Sequence, residues 1–234
     1  MAYKLTYKQY YPEGFEVRKS RPRRELVYGV GNNDAPYATQ PYLKIKSKRP
    51  KCPAYRKWQS VLQRAYCPEY QARQPTYIGT EVCKDWLDSF MTFRAWFFAE
   101  LSKTNLTPRE AEVDKDCLTD KKLYSPKTCI LIPDSLNNLL TDRGAARGGL
   151  PQGVTQSGSR YVSRVRTPKV KGSEYLGTFK TVAEAFDAYI KRKTDVIKSA
   201  PIPYWLDEDK IRRRLLTIFR RQMRAQRIEF AHLL

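Results

Sequence analysis

Residues 113–140, VDKDCLTDKKLYSPKTCILIPDSLNNLL, limit more than any other stretch what this chain can fold into. Val113 leads into an acidic turn, and residues 128–132 form a short β-branched and apolar run. Asp134 or Ser135 is placed to cap a helix on which Leu136, Leu139 and Leu140 share one face, with Gly144 as its stop. The pattern predicts a strand, a hairpin loop, a second strand and a helix. Its polar residues Asp114, Asp116 and Asn137 read in two ways: as a solvated turn and helix face, or as a site.

The chain around this unit is long enough for one moderate core or a few small ones, at 234 residues and 41% apolar. No apolar run reaches the length of a membrane span, and the first residues, MAYKLTYKQYYPEG, lack the apolar block of a signal peptide. The expectation is an intracellular protein with no membrane partner. Five cysteines, Cys52, Cys67, Cys83, Cys117 and Cys129, never adopt CxxC spacing and are expected as reduced thiols.

A net charge of +20 calls for a polyanionic partner, and its distribution says which parts would hold it. The basic excess is +9 in residues 1–56, 0 in 57–112, +1 in 113–147, +6 in 148–200 and +4 in 201–234. The flanks, not the centre, are built to grip nucleic acid. Residues 1–53 interleave tyrosines with Arg21, Arg23, Arg24, Lys46 and Lys48 among many prolines. This is expected to be an extended basic arm, stacking on bases and pairing with phosphates or else simply solvated, with a short hairpin at residues 26–30.

Helical periodicity then begins. Tyr55, Trp58, Leu62 and Ala65 define a helix ending before Pro68, and Phe90, Phe93, Phe97 and Leu101 a second one, led in by Trp86 and Leu87. Thr107 and Glu110, with Pro108 between them, fit a capping box. In residues 148–200, Arg160, Val162, Arg164 and Arg166 alternate with Tyr161, Ser163 and Val165, so one face of a strand is largely basic. Thr181 and Glu184 form a further capping box, opening a helix that packs Ala185, Phe186, Tyr189 and Ile190 under the sheet. Residues 201–234 hold a basic amphipathic helix. Its stripe is Ile211, Leu215, Ile218, Phe219 and Met223, and Arg213 and Arg220 lie among the arginines of its other faces. Such a helix can meet phosphate, a partner protein or the chain's own core.

Two resemblances attach to these residues. The order DKD, then YSPxTC, then a helix with a leading Asn resembles the ββα-metal core of phage HNH homing endonucleases, in a degenerate version. The helix of residues 55–66 and the VCxxWL turn before DKD are similar to the same family. The resemblance implies one divalent metal, Mg, held by Asp114 and Asn137, with Lys115 where the family carries its catalytic histidine. Serving as the base would require a lysine to move down about three units from roughly 10.4. The family's orienting Asn is not evident in the loop Thr119, Asp120, Lys121, Lys122. The expectation is therefore a nucleic-acid binder without nuclease activity and without a cofactor, with a metal-dependent nickase as the alternative. A structural protein of a ribonucleoprotein is a third reading.

The segments PQGVTQ, SRYVSRVRTP and EYLGTFKTVAEAFDAYIK resemble the ethylene-response-factor (APETALA-type) DNA-binding domain. There a three-stranded sheet enters the major groove. The resemblance implies groove-facing roles for Gln152, Thr155, Tyr161, Arg164, Arg166 and Tyr175, with Arg160, Lys169 and Lys171 beside them. It favours DNA over RNA, and the phage HNH resemblance implies the cytoplasm of an infected bacterial host as the setting. The expected architecture is α+β with modules in series. These are an arm (1–53), helices with a degenerate ββα unit (54–147), a sheet-and-helix domain (148–200) and a basic helix (201–234).

Overall fold

Residues 25–40, 51–140, 149–167 and 172–234 are described by a computed structural model. The expectations placed on Arg21, Arg23, Arg24, Lys46, Lys48, Gly144, Lys169 and Lys171 fall outside them. The architecture is mixed α+β, in two compact units, Met1–Ile132 and Pro133–Leu234.

In the first unit, helix α1 (Pro53–Tyr66) starts on a proline whose missing N–H costs nothing at that position. It buries Tyr55, Trp58, Leu62 and Ala65, the stripe its spacing announces. A short helix α2 (Pro68–Arg73), strand β1 (Glu81–Val82) and helix α3 (Lys84–Asp88) lead to α4 (Phe90–Leu101), which buries Phe90, Phe93, Phe97 and Leu101. The rings of Tyr55 and Phe90, and of Trp86 and Phe93, meet edge-on with centroids 5.2 and 4.9 Å apart. Each such fully buried aromatic contributes about 1.5–3 kcal/mol.

Residues 25–40 correct the expectation of an extended arm. A bridge between Val27 and Gly31 closes the predicted hairpin, with Tyr28 at φ 52° in its turn. The segment then packs Val27, Val30, Ala35 and Tyr37 on the aromatic core. Asp34 finishes the job by accepting hydrogen bonds from Ser89 Oγ (2.6 Å) and the Met91 amide (2.9 Å) at the start of α4.

The ββα stretch forms as β2 (Ala111–Asp114), β3 (Leu123–Tyr124), β4 (Ile130–Pro133) and α5 (Asp134–Asn137), with a 3-10 turn at Asn138–Leu140. Strands β2 and β4 pair, and β3, inside the loop, pairs in parallel with β1. Thr128 is a turn residue and not part of the strand run. Its hydroxyl accepts from the Ser125 amide (3.0 Å) and donates to the Leu123 carbonyl (2.5 Å), around Pro126. The helix that follows is a single α-turn capped by Pro133 with no side-chain bond, so neither Asp134 nor Ser135 caps it. Thr107 and Glu110 also differ from expectation. The Thr107 amide (2.9 Å) and hydroxyl (2.7 Å) both donate to Glu110 Oε2, closing a turn that leads into β2 and starts no helix.

In the second unit β5 (Val154–Ser157), β6 (Arg160–Val165) and β7 (Glu174–Phe179) form an antiparallel sheet in that order. Helix α6 (Val182–Lys198) opens on the predicted Thr181–Glu184 capping box and packs under the sheet. Helix α7 (Glu208–Glu229) buries Ile211, Leu215, Ile218, Phe219 and Met223, with Phe219 against Tyr189. Arg212 donates to the carbonyls of Ile197, Lys198 and Ala200 and so caps the C-terminus of α6. Among the described residues no helix is long and apolar enough to cross a membrane.

Candidate nucleic-acid interface

The sheet of the second unit has one face on α6 and one in solvent, and strand alternation sorts its residues between them. Val154, Ser163 and Val165 face inward and are buried; Arg160, Arg164 and Arg166 are exposed. Across the ladder Thr155 pairs with Val162, and Val162 with Thr178, so Thr155 and Thr178 join the exposed face. A bulge after Ser163 sets Gly177 opposite Ser163 and Tyr175 opposite Arg164. Leu176 is the extra residue, and Gly177 takes φ 140°, which a side chain would resist. The bulge turns Tyr175 outward, where its ring lies 5.7 Å from the Arg164 guanidinium and its hydroxyl meets Thr178 at 2.8 Å.

Charge on this face is unbalanced. Among the described residues Arg160, Arg164 and Arg166 form no ion pair, and the one acidic residue of the three strands is held elsewhere. Glu174 accepts a two-pronged contact from Arg192 of α6, both bonds 2.9 Å, which also holds its carboxyl below the usual range.

Two residues expected in the groove lie elsewhere. Tyr161 is half-buried on the opposite face from Arg160 and Arg164, as the two-residue period requires. Gln152 precedes β5, and its backbone amide donates to Gln226 of α7 (2.8 Å). Gly153, next to it, has φ 81°, and a Cβ there would fall 2.0 Å from the Tyr189 ring. On α7, Arg213 and Arg220 are exposed two turns apart, with Arg224 one turn further on. The helix's apolar stripe is used within the second unit, while Arg227 pairs with Asp187 at 2.5 Å.

The residues of the implied metal site are described unit by unit. Asp114 and Lys115 belong to the first unit and Asn137 to the second. Asp114 accepts from the Cys117 amide at 2.7 Å, and burial raises its carboxyl above the usual range. Lys115 is only 5% exposed. Its ammonium donates to Asp116 (2.7 Å) and lies 5.7 and 6.0 Å from the ring centroids of Tyr124 and Tyr77. With Arg64 donating to the Tyr124 hydroxyl (3.4 Å), this is a cation and tyrosine cluster, and it does not suit a divalent ion. Among the described residues no three His, Cys, Asp or Glu side chains are grouped to hold a metal.

Two features of the second unit escape a reading of the sequence. One is the Glu174–Arg192 fork. The other is Lys193, 6% exposed although charged, at the place where the stripe Val182, Phe186, Tyr189, Val196 asks for an apolar residue. That break in the period was the available signal.

Comparison with protein-family models, curated proteins and solved structures finds no match to this chain.

Proposed function

We propose that this chain is an intracellular nucleic-acid-binding protein, with duplex DNA preferred over RNA, and that it binds without cleaving. The observation that carries this reading is the exposed sheet face. Among the described residues three arginines that form no ion pair share it with Tyr175, and the one carboxylate of the three strands is held by Arg192. Arg164 and Arg166 leave the same side of β6 about 7 Å apart, a spacing suited to base edges or successive phosphates. The exposed arginines of α7 add phosphate contacts.

The non-cleaving half rests on Lys115. An ammonium that donates to Asp116 and packs on two tyrosine rings offers no lone pair to activate water. Descent from a phage HNH homing endonuclease would account for the order of strands and helix around it.

The decisive experiment is selection from a random DNA library, followed by binding at several salt concentrations to the selected duplex, random duplex and structured RNA. Arg164→Ala or Arg166→Ala is expected to cost about 1–3 kcal/mol on the preferred site and less on random duplex. Tighter binding to structured RNA, with no enriched DNA motif, would favour a ribonucleoprotein role. Supercoiled DNA with magnesium or manganese is expected to stay intact; nicking abolished by Asp114→Ala would overturn the non-cleaving reading.

A further inference from the structure

Strict alternation along β7 would put Tyr175, Gly177 and Phe179 on one face and Thr178 on the other. The bulge undoes that count, so Tyr175 and Thr178, three residues apart, both come out on the solvent side. Their hydroxyls meet at 2.8 Å. A tyrosine tethered to its own strand in this way lies along the sheet and does not stand off it. Its ring becomes a fixed support for the residue that the neighbouring strand sets opposite.

That residue is Arg164, the register partner of Tyr175 on the central strand β6. Its guanidinium carbon lies 5.7 Å from the ring centroid, within the range of a cation–π contact. Among the described residues the Arg164 side chain makes no hydrogen bond or ion pair, so its N–H groups stay available while the ring holds the group they belong to. Arg160 and Arg166 differ in this respect. They stand at the first residue of β6 and just past its last, and among the described residues no ring backs either one.

We propose that Tyr175 is a positioning residue for Arg164, and that the arginine so held reads one guanine of the bound duplex. This rests on the nucleic-acid reading above and assigns to it a base and the residue that sets the selectivity. Guanine offers O6 and N7 in one plane on its major-groove edge, matched to two N–H groups of a guanidinium. An arginine free to turn about its side-chain torsions must be ordered by the base it meets, which offsets part of the preference for the right one. One already held against a ring meets the two acceptors in place. A phosphate carries no sequence information and gains no selectivity from such holding.

The test uses the full chain, the duplex selected from the random library, and random duplex. Each guanine of the selected motif is replaced in turn by 7-deazaguanine, which keeps its base pairing and loses the N7 acceptor. One guanine is expected at which the replacement weakens wild-type binding about tenfold and leaves Arg164→Ala unaffected. Tyr175→Leu keeps an apolar side chain and loses the π face. It should lower the preference for selected over random duplex about fivefold, with random duplex bound within about twofold of wild type. Tyr175→Phe keeps the face, loses only the bond to Thr178, and should retain most of the preference. In the Arg164→Ala background Tyr175→Leu should cost nothing further. Tyr175 is 56% exposed, so neither substitution opens the core, and thermal melting checks that both variants fold.

A loss from Tyr175→Leu that is as large without Arg164 as with it would show that the ring touches DNA itself, overturning the positioning role. A motif with no guanine whose N7 matters through Arg164 would make that arginine a backbone contact, overturning the guanine assignment. Duplex binding with no enriched motif would overturn the inference and leave the binding reading intact. Failure to bind any duplex would overturn both.

Discussion

Two buried lysines show how much one neighbour decides. Lys115 has Asp116 at 2.7 Å and two tyrosine faces, so its charge is matched; Lys193 is buried and, among the described residues, has no ion pair, and burial and then Arg166 oppose its charge. For Lys193 the consequence for stability has a definite sign. Its folded pKa is below the unfolded one, so the unfolded state binds more protons between about pH 8 and 10.5 and stability rises with pH there. The penalty is fully present below pH 8. Lys193→Met should therefore be more stable than wild type at pH 7, by on the order of 2 kcal/mol, with the gap closing towards pH 10.5. Urea midpoints across that range measure it. Gly153→Ala goes the other way: with positive φ and a ring in the way, about 2–4 kcal/mol of stability should be lost, read as a lower midpoint at unchanged m-value. Residue-level legibility followed the same division. Simple alternation placed Arg160, Arg164 and Arg166 outside and Tyr161 inside, whereas carrying Tyr161 over by resemblance put it on the wrong face. Lys193 was hidden because composition rules assign lysine to the surface.

The long helices were readable because each carries an apolar stripe, broken in α6 by Lys193: α1, α4 and α7 bury the residues that their spacing selects, and α6 does so except for the half-buried Ile190. Capping motifs were readable only in part. Thr181–Glu184 opens a helix with two reciprocal bonds, while at Thr107–Glu110 both the amide and the hydroxyl of Thr107 donate to the carboxylate in a turn, and the β-forming residues after it propagate no helix. The packing of residues 25–40 was not legible at all. Its contribution comes from isolated side chains and from backbone bonds to distant residues, such as the Asn32 amide to the Leu87 carbonyl at 2.8 Å, and neither leaves a period. Asp34 makes the hidden contact testable. Asp34→Ala removes the acceptor for the Met91 amide and should destabilise the protein by about 1 kcal/mol, with Asp34→Asn recovering part of it.

For the whole chain, the location of basic residues separates binding from folding. Residues 1–24 carry seven basic and two acidic side chains, and deleting them should flatten the salt dependence of duplex binding by several units, at about 0.9 per phosphate contact. Deleting residues 1–40 instead removes Val27, Val30 and Tyr37 from the core, with the Asp34 bonds to the start of α4, and should lower the melting temperature sharply. An unchanged salt slope after the shorter deletion would show that residues 1–24 take no part in binding. The α+β class followed from periodicity alone, but the division at Ile132 did not, since it falls inside an apolar strand with no change of composition to mark it.

The Glu174–Arg192 fork carries a warning for anyone mapping this surface by scanning arginines to alanine. Removing Arg192 frees a carboxylate at the end of β7, and that alone should weaken electrostatic binding, whether or not Arg192 makes a contact of its own. Scored alone, it would be counted as a contact. The pair Arg192→Ala with Glu174→Gln tells the two cases apart: a muzzled acid gives back the lost affinity when it too is neutralised, whereas a true contact does not.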